Sequence, residues 1–132
     1  MNPSEITSQR YSNVSETQTA GTKASTIERL ALVVVTYKRQ EFLANLFDSI
    51  AALDDAPWRI VIVDNENSPA TEKMVTEFNE RCSALWGRDN EADTEGSFDR
   101  VAYAPQFKNT GGAGGFSAGV KRAYELGAQW FW

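Results

Sequence analysis

The pattern of apolar and polar positions changes abruptly at Leu30. Residues 1–28 show no hydrophobic period, and 10 of the first 26 are Ser or Thr. Such a segment buries too little apolar area to offset its ordering entropy, so it predicts a disordered tail, with a partner-binding segment as the alternative. From Leu30 the continuous, largely β-branched run LALVVVT (30–36) predicts a strand buried on both faces. QEFLANLFDSIAAL (40–53) sets Phe42, Leu43, Leu46, Phe47, Ile50 and Leu53 at helical spacing. RIVIVD (59–64) predicts a second buried strand. Ser68-Pro69 supplies an N-cap and a proline at the first helical position, opening a helix with Met74, Val75, Phe78, Cys82 and Leu85 on one stripe. RVAYA (100–104) predicts a weaker third strand. Phe116–Leu126 predicts a third helix closed by Gly127, and AQWFW (128–132) begins a fourth strand, apolar on both faces.

The order β-α-β-α-β-α-β predicts an α/β fold, a parallel sheet with helices on both sides, over residues 29–132. In open α/β sheets, ligands bind beyond the carboxyl ends of the strands. That rule selects Thr36, Tyr37, Lys38 and Arg39 after the first strand, Asp64 and Asn65 at the end of the second, and the glycine-rich segment after the third.

Composition removes several classes of chemistry. The sequence contains no histidine, which excludes Ser-His-Asp and Cys-His nucleophile systems and every His-based metal site. Cys82 is the single cysteine, so there is no internal disulfide framework, as befits a reducing compartment. Of the net charge of −5, residues 88–99 hold −4 (five acids, one Arg), and the near-neutral remainder gives no basic footprint for nucleic acid. No apolar run approaches the ~20 residues of a transmembrane helix, and the N-terminus lacks the basic and apolar regions of a secretory signal.

The segment NTGGAGG (109–115) holds four glycines in five residues just before a helix, a natural place for an anion to meet backbone amides. It is not a P-loop, because Val120 stands where the lysine would follow Gly114 and Gly119. Nor is it a dinucleotide fingerprint, because Gly112 and Gly114 are followed by Ser117 and the segment comes after the third strand. A tight turn and a ligand wall both remain open. Lys38 and Arg39 sit where positive charge opposes the helix dipole, which an anionic ligand would reverse; solvated basic residues are the alternative. Asp64 reads either as a turn cap or as an acceptor for a base N–H or ribose hydroxyls, with Asn65 beside it. Glu91, Asp93, Glu95 and Gly96 approximate part of an EF-hand loop, but Ala102 occupies the twelfth position, which leaves a solvated surface loop.

Taken together, LVVVTYKR, IVIVDNENS and NTGGAGGFSAGVKRAYELGAQWFW resemble the start of family 2 inverting glycosyltransferases of the GT-A fold, in particular galactofuranosyl- and rhamnosyltransferase-like members. The likeness covers residues 30–132. It implies that Thr36, Tyr37 and Arg39 line a nucleotide-sugar pocket and that Asp64 and Asn65 contact the nucleoside. It also implies that Asn109, Gly111 and Gly112 approach the nucleotide through their backbone, while Gly115 lets the following helix pack closely. In such enzymes an Asp-rich cluster after the fourth strand holds Mg²⁺ or Mn²⁺ against the diphosphate, and the general base lies further on. The resemblance therefore implies that this chain stops short of the metal ligands, holds no metal and no catalytic residue itself, and is inactive alone.

The implied donor is UDP-galactofuranose, with dTDP-rhamnose as the alternative, and the implied acceptor is a saccharide or lipid-linked saccharide in cell-envelope polysaccharide synthesis. The implied setting is cytoplasmic, with peripheral association at the inner face of the plasma membrane left open. A non-catalytic α/β nucleotide-binding module is the rival from another class. A nicotinamide-dependent enzyme is disfavoured by the late position of the glycines.

Overall fold

A computed structural model describes residues 29–88 and 91–132; the segment read as a tail lies outside the described residues. Among these, the chain runs β1 (Leu30–Thr36), α1 (Gln40–Ala51), β2 (Arg59–Asp64), α2 (Pro69–Trp86), β3 (Val101–Pro105), α3 (Gly111–Leu126) and β4 (Trp130–Phe131). All strand pairs are parallel and the sheet order is β3-β2-β1-β4. The first two crossovers step outward from β1, and the third jumps back across it. The topological switch point, where open α/β sheets bind ligands, therefore falls at β1 and β4.

The apolar run of β2 is buried on both faces, as a central parallel strand requires, whereas β1, expected to be buried likewise, leaves Val33, Val34 and Val35 only half-buried beside the short strand β4. One layer packs Leu43, Phe47 and Ile50 of α1 and Val75, Phe78 and Cys82 of α2 onto Leu32, Ile60, Ile62 and Val101. Phe47 and Phe78 join the two helices with rings stacked 4.0 Å apart. The opposite layer sets Ala123 and Leu126 of α3, with Ala128, against Ala31, Val61, Val63 and Trp58. Ser68 caps α2 by accepting from the Ala70 and Thr71 amides, with Pro69 in the first turn, and Gly127 closes α3 at φ 109°.

Three further expectations need correction. The glycines at 111–115 are not a loop: α3 begins at Gly111, five residues before the expected Phe116. Phe42, Leu46 and Leu53 do not join the core but stay exposed, because α1 turns only one side of its stripe to the sheet. The acidic segment is not wholly solvated. Asp93 is buried, accepts from the Glu95 and Ser97 amides, and lies 3.7 Å from Nε of the buried Arg59. Arg59 also donates to the Ser97 carbonyl at 3.0 Å and the Glu91 carbonyl at 3.2 Å. Glu95 forms a two-pronged pair with Arg122 (2.6 and 2.8 Å), which holds its carboxyl below the usual range. These contacts tie the segment to the amino-terminal end of β2, opposite the candidate site.

Candidate functional site

A cleft of about 610 Å³ opens at the carboxyl end of β1, within the size range of small-molecule sites. Thr36 and Tyr37 come from the end of β1, Arg39 from the start of α1, Asn65 from the end of β2, and Asn109, Gly111 and Gly112 from the start of α3. Thr36 and Gly112, 76 positions apart in sequence, thus meet because β1 is central and the crossovers through α1 and α3 both start at this end of the sheet. The apolar floor is formed by Val34, Val35, Phe42, Leu43 and Leu46. That floor was not singled out from the sequence. Its signal lay in Phe42 and Leu46, two apolar positions too many for the face that α1 buries.

At the two helix starts beside this cleft the N-cap residues make no side-chain cap. Arg39 occupies the N-cap position of α1 and Thr110 that of α3, and neither side chain bonds its helix amides. By contrast, α2 is capped by Ser68. The first turn of α3 carries no acid. Helix starts of this kind present amide groups and a positive dipole end. Asn109 Oδ1 accepts from the Gly111 amide at 2.9 Å, and Gly111 itself adopts φ 77°, a conformation that favours glycine. A Cβ on Gly112 would meet nothing within 4 Å, so the cleft-facing backbone there is open to approach.

Asn65 is the junction of the site. Its amide donates to the Thr36 carbonyl at 2.9 Å, and its Nδ2 donates to the Gly111 carbonyl at 3.1 Å. The Thr110 hydroxyl donates to its Oδ1 at 3.4 Å. One buried side chain thus ties the ends of two strands to the start of α3. Arg39 lies with its guanidinium 4.9 Å from the Phe42 ring centroid, and the Lys38 ammonium lies 5.3 Å from that of Tyr37. Lys38 holds φ 54° in the turn between them.

Two of the nine expected site residues stand behind the cleft. Gly115 packs inward, and a Cβ there would fall 2.6 Å from Val35 Cγ1 and 3.0 Å from Asn65 Nδ2. Asp64 is fully buried. Its Oδ1 accepts from the Glu66 amide at 2.9 Å, while Oδ2 accepts from the Ser68 amide at 2.8 Å and the Tyr103 hydroxyl at 2.6 Å. Burial and the carboxylate beside it push the Tyr103 hydroxyl well above the ordinary tyrosine range. In this arrangement Asp64 organises the turn between β2 and α2. Tyr103 was not anticipated, because its partner is 39 residues away in sequence.

The residues present do not fit a divalent cation. No carboxylate lines the cleft, and the Asp64 oxygens already accept from three donors. Among the described residues no group of three or more His, Cys, Asp or Glu side chains is placed to hold a metal ion, and no helix is long and apolar enough to cross a membrane.

Comparison with known proteins bears on the family of the chain. The chain is 33% identical over 105 residues to galactofuranosyltransferase GlfT1 of Mycolicibacterium smegmatis, covering 80% of this chain and 28% of that protein. It is 30% identical over 108 residues to galactofuranosyltransferase GlfT1 of Mycobacterium tuberculosis H37Rv, covering 80% and 29%. The chain thus spans less than a third of the length of these relatives. No solved structure matches it significantly. The family model for glycosyl transferase family 2 matches residues 31–126, nearly all of β1 through α3. This chain belongs to glycosyltransferase family 2.

Proposed function

We propose that this chain forms the donor-binding part of a galactofuranosyltransferase, and that the cleft at the end of β1 takes UDP-galactofuranose. The observation that carries the reading is the convergence on one cleft of two helix starts whose N-cap side chains leave the helix amides unbonded, the Arg39 guanidinium and an apolar floor. A nucleoside diphosphate has matching parts: a flat base for the apolar side, and an anionic diphosphate for the amides and the arginine. The two relatives named as galactofuranosyltransferases support the choice of sugar.

In this reading Tyr37 and Phe42 bound the base, Asn65 and the Asn109–Gly112 backbone set the ribose and diphosphate, and Arg39 offsets the negative charge. The family resemblance implies single displacement: an acceptor hydroxyl oxygen bonds to the anomeric carbon as the bond to the nucleoside diphosphate breaks, inverting that centre. The cleft lining contributes binding and orientation to this step. It offers neither a carboxylate nor an imidazole to accept the hydroxyl proton. No step is routed through a metal ion at these residues.

Calorimetric titration with UDP, dTDP, NAD and ATP tests the reading. UDP is expected to bind with Kd below about 1 mM, corresponding to at least about 4 kcal/mol, and more tightly than NAD or ATP. Tighter binding of dTDP would replace the donor with a dTDP-sugar. Binding of NAD alone, or of none of the four, would contradict the reading.

A further inference from the structure

The cleft depends on a tyrosine that does not line it. Tyr103 lies in edge strand β3, and its ring packs against the core layer of α1 and α2. Its hydroxyl donates to Asp64 Oδ2 at 2.6 Å and lies 3.5 Å from the Ser68 carbonyl. The same carboxylate receives the Glu66 and Ser68 amides, so it fixes the backbone on the far side of Asn65. Asn65 in turn holds Thr36 through its amide and Gly111 through its side chain. Two sets of hydrogen bonds, joined by the peptide link between Asp64 and Asn65, therefore lead from an edge strand, through a buried carboxylate, to both walls of the cleft.

We propose that Tyr103 is a positioning residue of the donor site: by locking the Asp64 carboxylate it sets the place of Asn65, and through it the separation of Thr36 from Gly111. The inference rests on the donor-site reading above. The geometry separates this role from plain bracing. The strand pairing of β2 with β3 and the packing of the Tyr103 ring do not need the hydroxyl, whereas the Asp64 turn receives one of its three donors from it. Without the hydroxyl, only the Glu66 amide on Oδ1 and the Ser68 amide on Oδ2 hold the carboxylate, which can tilt about them towards the gap. Asn65 immediately follows it in the chain, so the misplacement is passed directly to the cleft.

The test uses the intact protein with Tyr103→Phe, Asp64→Asn and the double variant. It combines UDP affinity, measured well below the melting temperature, with the amide chemical shifts of Asn65 and Gly111. Tyr103→Phe is expected to weaken UDP binding by about three- to tenfold and to move the Asn65 and Gly111 amide signals of the free protein. In the Asp64→Asn background, Tyr103→Phe is expected to add less than about twofold, because Tyr103 acts through Asp64. Unchanged affinity and unmoved Asn65 and Gly111 signals, with only a lower melting temperature, would overturn the inference, leaving Tyr103 as a brace. Additive losses in the double variant would also overturn it. If the unsubstituted protein binds UDP and dTDP no better than NAD, the donor-site reading itself fails, and the inference falls with it.

Discussion

At the residue scale, the fully buried Asp64 carboxylate shows how one side chain's hydrogen bonds decide what a substitution can report. Replacing it with alanine would strand the Glu66 amide, the Ser68 amide and the Tyr103 hydroxyl, each costing about 1–3 kcal/mol when left unpaired. Asp64→Ala is therefore chiefly a folding lesion, and the isosteric Asn is the informative change. Cys82 offers a cleaner residue-scale prediction. It is buried between α2 and the sheet, and that burial pushes its thiol up to about 11 from an ordinary 9.0, outweighing the opposing Arg100 and Arg81. The folded chain thus holds this proton more tightly than the unfolded chain. Its contribution is fully present below pH 9 and is lost as pH rises towards 11. Urea unfolding from pH 8 to 11 should show the wild type losing stability more steeply than Cys82→Ala. Equal slopes would mean that the thiol is not held protonated. Tyr103, also raised, adds to the alkaline loss in both proteins and cancels in the comparison.

At the element scale, α3 carries the most instructive prediction. Glycine costs about 1 kcal/mol relative to alanine inside a helix, so four glycines in five residues argue locally against a helix. Of the four, only Gly115 lies against the sheet, and Gly119 follows it one turn later. At Gly119 a Cβ would fall 2.3 Å from Val33 Cγ1 and 2.8 Å from Val63 Cγ2. Overpacking of that kind costs about 1–3 kcal/mol, more than the propensity gain. Gly119→Ala should therefore lower the melting temperature, while Gly112→Ala, with nothing within 4 Å, should hold or raise it. The reverse order in thermal unfolding would mean that α3 does not pack as described. The contrast marks what sequence can carry. The bounds of β1 and β2 were legible because a strand at the centre of a parallel sheet carries an unbroken apolar run, fully buried in β2 and partly so in β1. The start of α3 was not, because a cluster of glycines reads locally as a turn, and the valines that Gly115 and Gly119 pack against lie far away in the chain. For the same reason helical spacing in α1 could not reveal that Phe42 and Leu46 face a cleft.

At the scale of the whole molecule, the two ends of the sheet have separate duties. At the amino-terminal end, Arg59 and Arg100 are buried and bound to loop carbonyls, Arg100 donating to Pro57 at 2.9 Å. Together with Asp93 they anchor the acidic segment. At the carboxyl end, seven of the nine residues expected in the site line one cleft: Thr36, Tyr37, Arg39, Asn65, Asn109, Gly111 and Gly112. The strand-end rule made that cluster legible, since it needs only the order of elements. The inward turn of Asp64 and the anchoring of Asp93 depend on Tyr103 and Arg59, partners that no local pattern announces. Entry of the nucleotide at the carboxyl end of the sheet can be mapped in a 14.7 kDa chain by amide chemical shifts during UDP titration. Saturable shifts are expected at Thr36, Tyr37, Arg39, Asn65, Gly111 and Gly112, with Arg59, Asp93 and Arg100 unmoved. Saturable shifts confined to the amino-terminal end, or none at any UDP concentration up to several times about 1 mM, would contradict it.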